Sequence, residues 1–160
     1  MIEQHRPDSD TSDREIALTR LFDAPREIVF AAWKDPVTIS NWWGPRGFTT
    51  TTYEMKFRPG GVWRFVMHGP DGVDYKNKVV YEEIIDPERL VYAHVGEDET
   101  SDVQFHVTVT FTAQGAGTEI SMRMVFPTAE LRDRVADEFG AIEGLHDTMA
   151  RFAEHLAAHT

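Results

Sequence analysis

The sequence predicts an α+β domain: a curved antiparallel sheet wrapped on one long C-terminal helix, with an apolar cavity between them. Three observations predict it. Strand-like runs follow one another from Phe48 to Phe126 with only tight turns between them. The last third switches to a helical period. One helical stripe, long and apolar, needs a large apolar surface to bury against, and the sheet is the surface available.

The elements follow in order. Glu15 to Phe22 alternates Ile16, Leu18, Arg20 and Phe22 with Ala17, Thr19 and Leu21, which reads as a strand. Asp23-Ala24-Pro25 then opens a helix, with proline where a missing N–H costs nothing. Ile28, Val29, Ala32 and Trp33 are its apolar stripe. Asp35-Pro36 opens a second, short helix that stops at Trp42-Trp43-Gly44-Pro45.

Arg58-Pro59-Gly60-Gly61 fits a turn with glycine at the third position, where φ is positive. Gly69-Pro70-Asp71-Gly72, Asp86-Pro87-Glu88-Arg89 and Gly115-Ala116-Gly117 are further turns. Between them lie strands at Thr49–Phe57, Val62–His68, Tyr75–Ile85, Leu90–Val95, Val103–Ala113 and Thr118–Phe126. Short connections make consecutive strands antiparallel neighbours, a meander. Ala129 to Phe139 reads as a helix and Gly140 as a break. Ile142, Leu145, Met149, Phe152 and Leu156 then recur at helical spacing, with Asp147, Arg151 and Glu154 on the opposite face.

Three strands show which side of the sheet that stripe meets. Trp63, Phe65 and Met67 oppose Arg64 and His68. Val103, Phe105, Val107, Val109 and Phe111 oppose Gln104, His106, Thr108 and Thr110. Ile120, Met122, Met124 and Phe126 oppose Glu119, Ser121 and Arg123. The sheet therefore has one covered side and one wet side.

Composition bounds the function. At 160 residues the chain fits one domain, residues 14–160, behind a flexible polar terminus, residues 1–13. It has no cysteine, so disulfides and thiolate chemistry are excluded. Its charge of −11, from 27 acids against 16 Lys plus Arg, repels phosphate backbones and anionic lipid. No run approaches the roughly 20 apolar residues that span a bilayer, and Met1 to Asp13 has no signal-peptide core. The expectation is a cytoplasmic protein that binds neither nucleic acid nor membrane.

By phase, Trp63, Phe65, Met67, Phe105, Val107, Met122, Leu145, Met149 and Phe152 line the cavity, or else fill a dry core. Trp43 joins them as a gate or platform at the cavity mouth. The competing reading of Trp42-Trp43 is that one ring plugs the core and the other shields a loop. Tyr92 and His94 join if their strand turns that face inward, but Val91, Ala93 and Val95 are equally apolar and leave the phase open. His106, with Gln104 and Thr108, belongs to the polar face. Glu143-x-x-His146 is half of a helical carboxylate–histidine ligand pattern whose second copy is missing, and no histidine pair has zinc spacing. No nucleophile motif or phosphate loop occurs. No metal or cofactor is expected, and no catalytic residue is assigned.

The leading expectation is a binding domain for a hydrophobic small molecule. An acid–base enzyme is the alternative, with Glu54, Lys56, Tyr81, Tyr92 and His94 as its candidates. It requires two or more of Glu54, Tyr81, Tyr92 and His94 to converge. The plainer reading of Glu54 and Lys56 is a surface pair.

The order of elements resembles the helix-grip superfamily. Phe22-Asp23-Ala24-Pro25-Arg26-Glu27, Trp42-Trp43-Gly44-Pro45, Arg58-Pro59-Gly60-Gly61, Pro87-Glu88-Arg89-Leu90-Val91 and Gly117-Thr118 narrow the match. Together they resemble the family of homologues of the activator of the Hsp90 ATPase, within the SRPBCC or START-like group. The resemblance spans about residues 15 to 158. It implies an internal cavity and, as a further alternative, contact with a chaperone. Lys56 stands where the family often carries an acid, so a charge-pairing role is not transferred there.

Overall fold

A computed structural model describes residues 11–96, 103–138 and 140–159. The elements are β1 (Glu15–Phe22), α1 (Arg26–Lys34), α2 (Pro36–Ser40), β2 (Thr49–Met55), β3 (Val62–His68), β4 (Asp74–Ile85), β5 (Arg89–Val95), β6 (Val103–Gln114), β7 (Gly117–Val125), α3 (Ala129–Glu138) and α4 (Ala141–His159). The seven strands form one antiparallel sheet in the order β1-β7-β6-β5-β4-β3-β2. The meander from β2 to β7 is as expected, and β1 joins its far edge beside β7.

Local chemistry explains the boundaries. Asp35 caps α2, its carboxylate accepting from the Val37 and Thr38 N–H groups at 2.9 and 3.3 Å. Gly60 takes φ +83°, the positive value its turn requires. A Cβ at the next residue, Gly61, would lie 1.9 Å from the Lys56 carbonyl oxygen, so the chain closes there only without a side chain.

Three expectations are corrected. α2 ends at Ser40, so the tryptophan pair follows the helix rather than ending it. Ile28 is 46% exposed; the buried stripe of α1 is Val29, Phe30, Ala32 and Trp33, and Phe30 fills the place given to Ile28. Arg151 does not sit on a solvated face: half-buried, it donates to the Gly44 carbonyl at 2.8 Å and to those of Trp43 and Pro45 at 3.3 Å. Residues 1–10 of the polar terminus lie outside the described residues. Thr11 is buried and donates to Glu15 at 2.7 Å.

The core divides along α4. Met149, Phe152 and Leu156 are buried against the aromatic end of the sheet. Phe152 packs on Trp42 at 4.2 Å between centroids and on Phe22 at 5.1 Å. Trp33, Phe30 and Phe111 continue that cluster through edge-on contacts. Ile142 and Leu145, in the first half of α4, remain half-buried.

Candidate functional site

The sheet register shows where the covered side stays accessible. Leu90, Tyr92 and His94 pair with Val109, Val107 and Phe105, so this face of β5 points inward and the phase left open by the sequence is resolved. Across the sheet, Met67 pairs with Tyr75, Phe65 with Asn77, and Val79 with both Trp63 and His94. Met67, His94 and Met124 are each the last residue but one of their strands, and Asn77 and Phe105 lie in the first few residues of theirs. All therefore lie at one end of the inner face, and Met67, Asn77, His94, Phe105 and Met124 are each only half-buried. The opposite end holds the dry aromatic cluster.

Trp43 and Leu145 complete this open end. The two tryptophans touch, with centroids 5.5 Å apart, but differ in burial: Trp42 is 0% exposed and packed on Phe152, whereas half-buried Trp43 meets Trp63 edge-on at 5.0 Å and Phe65 at 6.1 Å. The loop that carries Trp43 is held from both sides. Thr50 donates its hydroxyl to the Trp43 carbonyl at 2.9 Å, and Arg151 reaches the same carbonyl from α4. Arg46 and Glu154 form a paired contact at 2.5 Å beside it.

Of the residues assigned to the cavity, Trp63, Phe65, Tyr92, Val107, Met122, Met149 and Phe152 are buried in one continuous core. Trp43, Met67, His94, Phe105 and Leu145 are accessible around its open end. A separate groove of about 310 Å³ runs between α1, α2 and α4, over Ile28, Ala32 and Leu156 with Asp35, Thr38 and Asn41 at its rim. It contains none of the residues assigned to the cavity.

The inner face carries a polar chain that sequence reasoning missed in part. His94 stacks on Phe105 with centroids 4.8 Å apart and planes within 12°. Its Nε2 lies 2.9 Å from Asn77 Oδ1 and its Nδ1 3.0 Å from Gln104 Oε1. Asn77 Nδ2 donates to the Tyr75 carbonyl at 2.9 Å, which fixes its oxygen toward the ring and makes Nε2 a donor. Gln104 is exposed, as its assignment to the wet face expects, yet it bonds His94. The pairing of β5 with β6 shifts between His94 and Val95, leaving Gln104 as an extra residue whose amide reaches His94. Burial lowers the His94 pKa, outweighing the Gln104 bond that raises it.

Of the acid–base candidates the structure brings Tyr81 and Tyr92 together and leaves Glu54 and Lys56 elsewhere. Glu54 pairs with Arg64 at 3.3 Å and Lys56 at 3.6 Å, so that surface pair forms as the plainer reading expected. Tyr81 and Tyr92 face each other with ring centroids 6.4 Å apart. Burial raises both phenol pKa values, so both stay protonated and neither supplies a base. His106 is exposed and lies 3.1 Å from Glu82. Glu143 and His146 are both exposed, and among the described residues no group of three metal-ligating side chains forms.

On the outer face, Thr51 Oγ1, His68 Nε2, His68 Nδ1 and Asp74 Oδ1 connect through two contacts of 2.8 Å. This is the spacing of a hydroxyl–imidazole–carboxylate relay, but Thr51 is exposed and the Asp74 side chain is 61% exposed. Nothing there excludes water or positions a substrate.

Residues 23–157 match the family described as activator of Hsp90 ATPase homolog 1-like protein. The chain belongs to that family. Its fold is that of the SRPBCC superfamily, and three solved family-like structures show the extent of the likeness. One, from Arthrobacter aurescens, is 25% identical, with TM-score 0.84 over 93% of this chain and 89% of that one. A Mycobacterium smegmatis protein is 25% identical, with TM-score 0.84 over 94% and 96%. A Rhodobacter sphaeroides protein is 27% identical, with TM-score 0.77 over 94% and 97%. No curated protein matches this sequence. As the family fold implies, none of the described helices is long and apolar enough to cross a membrane.

Proposed function

We propose that this family member binds a hydrophobic small molecule in a cleft between the first half of α4 and the open end of the inner sheet face. The observation that carries the reading is the uneven burial of that face. Trp43, Met67, Phe105 and Leu145 stay half-accessible, while Phe22, Phe30, Trp33, Phe111 and Phe152 at the other end are sealed. Large aromatic rings and adaptable methionines facing one accessible space form the usual lining of a ligand site. The family's fold, typically ligand-binding, supports the same reading.

A panel of naphthalenes and medium-chain lipids tests it by thermal shift. A ligand at 100 times its Kd adds about 2.7 kcal/mol of stability. Methyl resonances of Met67 and Leu145 should move on titration, and Leu145→Trp should weaken binding while the protein stays folded. Movement confined to Ile28 and Leu156 would assign binding to the surface groove and overturn the proposal. So would a panel that stabilises nothing. The family's name motivates a competing reading, contact with a chaperone through the outer surface. Under that reading, chaperone capture occurs and survives Leu145→Trp.

A further inference from the structure

We infer that Asn77, His94 and Gln104 form the polar end of this cleft and that its ligand carries a neutral carbonyl head, a ketone or ester, on an apolar aromatic body. The inference rests on the proposed cleft and narrows what enters it.

An inner sheet face that served only as core would be apolar at 77 and 94, because a buried polar group costs free energy unless it is bonded. Here two amides flank an imidazole, and large rings flank the set. Asn77 lies across from Phe65, His94 lies across from Val79, and the His94 ring stacks on Phe105. The aromatic surfaces of Trp43 and Phe105 suit a flat body. The amides suit its head.

The kind of head follows from what each polar group has left. Both ring nitrogens of His94 are taken, one by each amide. Asn77 has one N–H committed to the Tyr75 carbonyl and a second uncommitted by that bond. Gln104 uses one end of its amide on His94. With Nε2 carrying the proton of the neutral ring, Nδ1 accepts, so Gln104 turns one N–H toward it and keeps the other. Each amide therefore keeps one N–H, and a carbonyl oxygen accepts from such a pair. The contacts that define the set are neutral dipoles without an ion pair, so a charged head would leave water without a counter-charge. Asn77 also closes the Tyr75 carbonyl where β4 extends beyond its pairing with β5, which starts at Lys78. A purely structural role for the trio is thus the outcome to be excluded.

Three naphthalenes of nearly equal size separate these roles in titrations with the intact protein: 2-acetylnaphthalene, 2-isopropenylnaphthalene, which replaces the carbonyl oxygen by CH2, and 2-naphthoate. The ketone should bind about tenfold tighter than the alkene and the carboxylate, the worth of one or two neutral hydrogen bonds. Asn77→Leu and Gln104→Leu should bring the ketone-to-alkene ratio to about one. In the wild type, the side-chain amide resonances of Asn77 and Gln104 should move with the ketone and not with the alkene, a readout that needs no variant to fold. Equal affinity for ketone and alkene, a ratio that persists in the variants, or unmoved amide resonances overturn the inference and leave the cleft standing. Failure of all three compounds to bind overturns it together with the cleft.

Discussion

His94 sits among amides, and that makes its protonation a property of folding. A histidine in the unfolded chain titrates near pH ~6.5, whereas burial lowers the folded value. Between the two, the unfolded chain holds more protons, so stability rises with pH across that window. The contribution is complete above the unfolded value and is lost as pH falls through the folded one. Urea unfolding at about pH 7.5 and about pH 5 should therefore cost the wild type more stability than His94→Phe, which cannot protonate. Equal losses would show that the ring is not held neutral. Arg151 supports a second expectation. Arg151→Leu strips three loop carbonyls of a shared donor and should cost about 1–3 kcal/mol, with Lys a partial substitute because it lacks the planar fork. Neither role was legible in the sequence. Arg151 follows its helix period onto the polar face, and only the path of the Trp43 loop brings acceptors to it. Gln104 follows its strand period onto the wet face, and a register shift with no residue signature brings its amide to His94 while the side chain stays exposed.

α4 is two half-helices in energetic terms. Phe152→Ala removes a fully buried ring from contact with Trp42 and Phe22 and should cost roughly 3–5 kcal/mol by chemical unfolding. Leu145→Ala, at the open end, should cost about 1–2 kcal/mol, since that side chain is only partly buried. Amide hydrogen exchange should show the same gradient, residues 142–146 opening at lower free energy than 149–156. At this scale the sequence was informative. Prolines, glycines and the Asp35 cap fix where elements start and stop, and period-2 alternation in β3, β6 and β7 separates wet from covered faces. The stripe of α4 was also readable, but not its uneven seating. Apolar periodicity reports which residues can be buried, and the facing surface decides which are. That one tryptophan would plug the core was readable for Trp42, but the helix that the pair was to end stops at Ser40, and the two rings stay in contact.

For the whole molecule, charge and connectivity carry the expectations. With −11 spread over 160 residues, the protein should pass through a DNA column at low salt and be held by an anion exchanger; retention on DNA would reveal a basic patch that net charge conceals. The meander itself was legible because its turns are short. The place of β1 was not, since no local signal says which edge a first strand will join. It pairs with β7, Leu18 against Met122, whereas every other pairing in the sheet joins consecutive strands. That exception has a consequence for biogenesis. The strand synthesised first has no partner until the last hairpin has left the ribosome, so it must wait as an unattached tail through most of translation. Nascent chains stalled ahead of Gly117 should leave residues 15–22 open to protease, and protection should arrive abruptly once β7 emerges.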